Sequence, residues 1–401
     1  MKQNHIIGLG VLAIALLGAA VYVSESRKPA REAIAEGLLA PTLESRLNDV
    51  TEVRIKAAAG DAITLKRVGD RWTVAEKAGY RADTAELRGL LLKLAQARRT
   101  AAKTALPASY AVLGVEDIDA EGASSVLVTV LADAPLLEVI LGQNNSRGAG
   151  TFVRLRGEPQ SWLVDQNLSA EKTAIGWIKR ELVDVANNRI TAITLQPAQG
   201  EAVQIEAKGK GDGNFRLANL PKGREQASAY VADASAGFLS GLRIDDVQSA
   251  DVYAAAEDAQ ITRADFLTRE GVQISLQVHS TAAGHWAHFS AALDETVAAE
   301  RIEGELARDA MEHEQAQEPA EPISARAGSE TYGLTVEDPA ASADAPLAIT
   351  DPAAFRAERL HEMKAEVAAL QQSFAGWVFK LPTFKADNLT RGMEDYLKPK
   401  A

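Results

Sequence analysis

The chain has 401 residues, 55 acidic against 43 basic side chains for a formal charge of −12, and 46% hydrophobic content. That is enough apolar material for a substantial core shared by about two domain-sized units. The charge argues against a nucleic-acid partner, because phosphate contacts want a basic face. The absence of cysteine excludes disulfides, thiol chemistry and the lipidated cysteine of a lipoprotein.

Ile6 to Val23 is an uncharged apolar run between Lys2 and the basic residues Arg27, Lys28 and Arg31. At about 1.5 Å per residue it reaches roughly 27 Å, close to the hydrocarbon thickness of a bilayer. A cleaved signal peptide is the competing reading, since Gly18 and Ala20 supply small residues. Bulky Val21, Tyr22 and Val23 extend the run past that point and favour an uncleaved anchor. Basic residues on both sides leave orientation unset by charge. A tail of residues 1–5 is easily kept in the cytoplasm, so the body is expected in the periplasm beyond a linker over 24–43.

The stretch Asn48 to Gly69 lies without gaps over Asn188 to Gly209, with Thr51 on Thr191, Gly60 on Gly200 and Ala62 on Ala202. Apolar residues alternate around the central glycine in both, at Val53, Ile55, Ile63 and Leu65 and at Ile193, Leu195, Val203 and Ile205. Each is a hairpin with one buried face. A third strand follows near Trp72 and Val74, and near Phe215 and Leu217. Tyr80, Ala82 and Asp83 then answer to Tyr230, Ala232 and Asp233, each set opening a helix. In the first helix Asp83 is placed to cap, with Glu86 three positions on and Leu87, Leu90, Leu91 and Leu94 as one apolar stripe.

A β-meander follows each copy. In the first it comprises Val126–Val130, Leu136–Leu141, Thr151–Leu155 and Ser161–Val164; in the second, Asp265–Thr268, Val272–His279 and Gly284–Ser290. The missing last strand is Gly376–Lys380, matched through Trp162 on Trp377. The expected fold is α+β: two related repeats of antiparallel strands plus a packed helix, each followed by a β-meander, behind an N-terminal transmembrane helix. The first repeat is set at 44–169, a connecting helix around Trp177 at 170–183, and the second repeat at 184–292, completed by 376–390.

Residues 293–375 are then an insertion between neighbouring strands. Its first part is acidic and alanine-rich, with Asp294, Glu300, Glu303, Glu305, Asp309, Glu312 and Glu314. Pro319, Pro322, Pro339 and Pro346 punctuate its middle. Pro352 to Phe374 reads as a helix with Met363, Val367, Leu370 and Phe374 on one face. A mobile arm that can be shortened is expected, and the rival is that this stripe buries against the body.

His279, His285 and His288 flank a predicted hairpin turn and are the one local cluster with metal-ligand chemistry. Alternation puts His285 and His288 on opposite faces, so exposed hairpin histidines are the preferred reading. The loops Gly142–Gly150 and Gly209–Gly213 lack the Gly-Lys-Ser/Thr ending of a phosphate cradle and read as turns. The sequence holds neither a Gly-x-Ser-x-Gly elbow nor a His-Glu-x-x-His helix. Trp72, Trp162, Trp177, Trp286 and Trp377 would suit a glycan groove, but core packing is the stronger reading of aromatic residues inside strand patterns. No catalytic, cofactor or metal residue is assigned.

The order Arg71, Trp72, Thr73, Val74, then Tyr80, Arg81, Ala82, Asp83, then Tyr110 through Gly114 to Asp117 resembles the family called domain of unknown function 4340. Leu141 and Gly142, Thr151 to Arg154, and Trp177 to Arg180 extend the resemblance, which skips the acidic insertion. It implies an exported, membrane-anchored companion of ABC-type exporters of the gliding-motility kind, and it carries over no functional residue. The implied partners are the inner membrane, an ABC permease and a related auxiliary protein, with no nucleic acid and no catalysis. The alternative is a periplasmic protein that binds or hydrolyses cell-envelope glycans, which for hydrolysis needs an acidic pair held across a groove.

Overall fold

The computed structural model describes residues 37–209, 214–317 and 349–399. The expected anchor Ile6–Val23, residues 210–213 and the middle of the insertion lie outside them. No helix of the described residues is long and apolar enough to cross a membrane. The chain is α+β, and it divides into two units between Lys179 and Arg180.

In the first unit α1 (Pro41–Ser45) precedes β1 (Glu52–Ala57) and β2 (Ala62–Val68). Val53 pairs with Leu65 and Ile55 with Ile63, all buried, as the alternation around Gly60 requires. β3 (Arg71–Val74) and β4 (Tyr80–Arg81) lead to α2 (Thr84–Gln96). Asp83 caps α2 by accepting from the Ala85 and Glu86 amides, and the stripe Leu87, Leu90, Leu91 and Leu94 is buried. Each such leucine contributes about 1.5–3 kcal/mol. After β5 (Arg99–Ala102) and α3 (Tyr110–Leu113) come β6 (Val126–Leu131), β7 (Pro135–Asn144), β8 (Thr151–Leu155) and β9 (Ser161–Val164). The sheet order is β4-β3-β2-β1-β6-β7-β8-β9-β5, antiparallel throughout.

The second unit opens with β10 (Glu181–Val183), β11 (Ile190–Gln196), β12 (Val203–Ala207), β13 (Phe215–Leu217) and α4 (Ala229–Ala236). β14 (Leu242–Arg243) pairs with β10 as a separate ribbon. Next are β15 (Asp246–Ser249), β16 (Gln260–Thr268), β17 (Val272–Thr281) and β18 (Gly284–Leu293). The helices α5 (Glu295–Gln317) and α6 (Pro352–Phe374), the strand β19 (Trp377–Leu381) and α7 (Thr383–Ala386) complete it. Its main sheet runs β13-β12-β11-β16-β17-β18-β19-β15. Strand for strand, that is the order of the first sheet without β4. The hairpin register is also the same, Ile193 opposite Ile205 and Leu195 opposite Val203.

Several sequence expectations are corrected. The body begins before residue 44, because Leu39, Ala40 and Leu43 are buried and the Leu39 amide donates to the Ala97 carbonyl. It also continues past 390, with Tyr396 and Leu397 buried. Around Trp177 there is only a short 3-10 turn, Ala174–Trp177, in place of a connecting helix. Tyr230 and Asp233 lie inside α4, whose cap is Ser228; Tyr230 is 76% exposed, whereas Tyr80 is buried.

Trp377 does not stand where Trp162 stands. In the first sheet Leu141 pairs with Val153 and Val153 with Trp162, while in the second Val278 pairs with Ala287 and Ala287 with Phe379. A slip of two residues returns every side chain to the same face, so alternation cannot detect it.

The insertion is no free arm at its end. Asp351 caps α6, which buries Met363, Val367 and Phe374. The Phe374 ring lies 5.2 Å from Phe289 of β18, Gln371 Nε2 donates to the Ala291 carbonyl, and Arg189 donates twice to the Glu366 carboxylate at 3.0 Å. α5 joins through Ala298 and Ile302, which form a small core with Met363. At the β16–β17 turn, Gly271 has φ +83° and any Cβ would fall 2.6 Å from the Asp294 carbonyl oxygen, so glycine lets the start of α5 settle there.

Candidate functional site

Successive strand residues point to opposite sides, so each sheet has a second face besides the one bearing the buried hairpin residues. In the first unit that second face carries Leu127, Ile140 and Phe152, and the connection from β5 to β6 covers it with Tyr110, Leu113, Val115 and Ile118. The Tyr110 hydroxyl donates to the Pro159 carbonyl at 2.6 Å, and its ring lies 4.5 Å from the Arg154 guanidinium. Arg154, 3% exposed, donates to the Val115 and Glu158 carbonyls and to Asp117 Oδ1 at 2.7 Å.

Register carries these positions into the second unit. Leu127 corresponds to Arg263, Ile140 to Gln277, Phe152 to Trp286 and Arg154 to His288. The face has turned from apolar to polar and aromatic. The connection from β15 to β16 is short, and between Asp251 and Asp258 every residue is exposed except Tyr253. Tyr253 lies against the sheet with ring separations of 5.7 Å to His279, 5.8 Å to Trp286 and 5.7 Å to His288. Both connections therefore send a tyrosine against the same strand position, Arg154 in one sheet and His288 in the other.

The Tyr253 hydroxyl is 3.2 Å from His279 Nδ1, and the His279 and His288 rings are 5.6 Å apart. His279 is 8% exposed, and its buried Nε2 has no hydrogen-bond partner among the described residues. Burial, and secondarily the charge of His288, holds the His279 pKa below the ordinary imidazole value. Burial does the same to His288 and pushes the Tyr253 hydroxyl up. Half-buried Trp286 and Tyr253 beside the amide of Gln277 give a surface that can stack and hydrogen-bond at once, the chemistry of a recognition patch.

His285 sits on the opposite face, as alternation predicts. Its Nδ1 is 2.9 Å from Ser280 Oγ and its Nε2 3.7 Å from Asp387, beside a cavity of about 510 Å³ that also touches Gln199, Asp258 and Thr390. Among the described residues no group of three or more His, Asp or Glu is placed to hold a metal. Of the tryptophans, Trp177 is fully buried and donates from Nε1 to the Glu171 carbonyl at 2.9 Å; Trp72, Trp162, Trp286 and Trp377 are half-buried. Of the stretch Gly142–Gly150, read from the sequence as a turn, Gly142 to Asn144 belong to the end of β7; the turn that follows packs on backbone, since a Cβ at Gly150 (φ +110°) would lie 2.0 Å from the Val164 oxygen. The Gly209–Gly213 loop falls mostly outside the described residues.

Tyr253 was not singled out from the sequence. Its one signal is an aromatic residue alone in the small and acidic run from Asp251 to Asp258.

No curated protein and no solved structure matches the chain. Residues 72–261, from β3 of the first unit to the start of β16 in the second, match the model of the family described as domain of unknown function (DUF4340), which supports that domain family for this stretch.

Proposed function

We propose that the chain is a membrane-anchored, extracytoplasmic binding protein, a companion of an ABC-type export system, without catalysis of its own. The observation that carries the binding role is the open face of the second sheet, where Arg263, Gln277, Trp286 and His288 stand in place of a covered apolar layer. The export neighbourhood is supported by the family resemblance, and the anchor by the apolar run Ile6–Val23. Equal strand order and hairpin register support the further reading that the two units are one module present twice.

A photo-crosslinking residue at Gln277, introduced in cells, tests the binding role. Capture of a permease or auxiliary protein encoded beside this chain is expected. Capture from exposed positions of the first unit but never from Gln277 would overturn it. Release of the mature protein from membranes by salt alone would contradict the anchor.

A second reading, a periplasmic protein that binds or hydrolyses envelope glycans, is favoured by Trp286 and Tyr253 side by side on a polar sheet face. Retention on immobilised envelope glycan, lost in Trp286→Ala, would support it over the first.

A further inference from the structure

We propose that Tyr253 is a pH-operated latch: with His279 and His288 neutral it holds residues 250–259 over the open face, and protonation of both imidazoles frees that segment and bares His279, Trp286 and His288 to a partner. This adds regulation to the site and rests on its reading as the binding surface.

The segment has one anchor in its middle. Backbone bonds from the Ala250 amide to Gly376, and from the Val252 and Tyr253 amides to Ser249, secure its start, and the Ala259 amide bonds to Ala256 at its end. Between Asp251 and Asp258 only Tyr253 is not exposed, and its ring lies against the pair of imidazoles and Trp286. Whatever loosens Tyr253 therefore loosens the segment.

The first unit shows what a permanent version of this contact requires. There the tyrosine covers the Arg154 guanidinium, which is supplied with a carboxylate and two carbonyls. In the second unit His288, under Tyr253, has a second imidazole, His279, beside it. A first proton is accommodated, because the Tyr253 hydroxyl can rotate from donating to accepting at His279 Nδ1. A second proton puts like charges on touching, half-shielded rings, and lifting Tyr253 lets water reach both.

The charged neighbours do not cancel this. On the same face β16 supplies Arg263 and Asp265, β19 supplies Lys380 opposite Trp286, and β15 supplies Asp246 opposite Lys380. The segment itself adds exposed Asp251, Glu257 and Asp258. Asp265 already accepts from Ser275 Oγ, and the shift of each histidine is set by burial, with His288 adding to it at His279. The lowered pKa of both imidazoles agrees, since it means that the closed arrangement prefers them neutral.

Hydrogen exchange of the full chain, with rates at each pH divided by the intrinsic rate, reads the latch without any partner. Protection over residues 250–259 is expected to fall about tenfold or more between about pH 7.5 and 5, the range in which histidine changes charge. In H279Q/H288Q it should stay level across that range, and in Y253A it should be low at both ends. Should the double variant not fold, H288Q alone must abolish the fall, because it removes the second charge. Level protection in the parent, or a fall that persists without the histidines, overturns the proposal. Failure of the crosslinking experiment would leave this result untouched, so the latch and the export reading fail separately.

Discussion

The two units use one strand order for opposite ends. In the first, the face behind the core is sealed: Leu127, Ile140 and Phe152 lie under Tyr110 and Val115, and Arg154 is fixed by three acceptors. In the second, Arg263, Gln277 and Trp286 occupy the corresponding positions under a shorter connection that contributes Tyr253 alone. A sheet whose other side already holds the core can leave this side open, provided its residues are polar enough to meet water. The difference is then a matter of connection length and of the side chains on one alternate set.

The sharpest way to break this comparison is to unseal the first unit. Tyr110→Ala removes a 6%-exposed ring from Leu127 and Ile140, strips the cover from Arg154 and deletes the hydrogen bond to the Pro159 carbonyl. A loss of about 3–5 kcal/mol in denaturant unfolding is expected. A change below about 1 kcal/mol would mean that the first face is no better sealed than the second.

Phe374→Ala tests the other side of the second sheet, where α6 does the covering. Phe374 is buried against Phe289, so about 3 kcal/mol is expected, read as a fall in the midpoint of thermal unfolding. Replacing residues 294–375 by a short turn should cost at least as much, because it also removes Val367 and the Arg189–Glu366 ion pair. A parent-like transition in that deletion would restore the dispensable arm.

How much of this was legible in the sequence follows from what each pattern encodes. The hairpins were legible because period-two alternation around Gly60 and Gly200 specifies both strand and face. The α2 stripe was legible for the same reason at helical spacing. β5, β10, β14 and β15 have two to four residues each, too few to alternate, and their pairing is decided by distant partners. The helix α6 could be read as a helix but not as part of the core, since its stripe does not say what it meets. Of the candidate site, His279, His288 and Trp286 were visible as residues. Their meeting under Tyr253 was not, because the connection that delivers Tyr253 carries no periodic signal.

Acid should separate the two units. Both His279 and His288 have folded pKa values below the ordinary 6.5, so the folded second unit binds fewer protons than its unfolded chain. The stabilisation they represent is present above that ordinary value and is lost as pH falls from there through the lower folded values. Chemical denaturation at pH 7.5 and pH 5 should show a loss that H279Q/H288Q removes, smaller than either truncation above; an equal loss in that variant would assign the effect to other groups.

The smallest effect expected is that of removing one oxygen. Tyr253→Phe keeps the ring over His279, Trp286 and His288 and deletes only the hydroxyl 3.2 Å from His279 Nδ1. At this half-buried site water can take over part of the bond, so the cost should be about 0.5–1 kcal/mol. Tyr110→Phe deletes a hydroxyl held at 2.6 Å to the Pro159 carbonyl; Pro159 is exposed, but the ring that carries the hydroxyl is buried and restricts water more than Tyr253 does, so the cost should be somewhat higher, about 1–1.5 kcal/mol. The pair, measured in the same denaturant series, compares an open face with a closed one at matched chemistry. Equal costs would mean that water reaches both tyrosines alike. The shorter connection would then have left the second face no more open than the first.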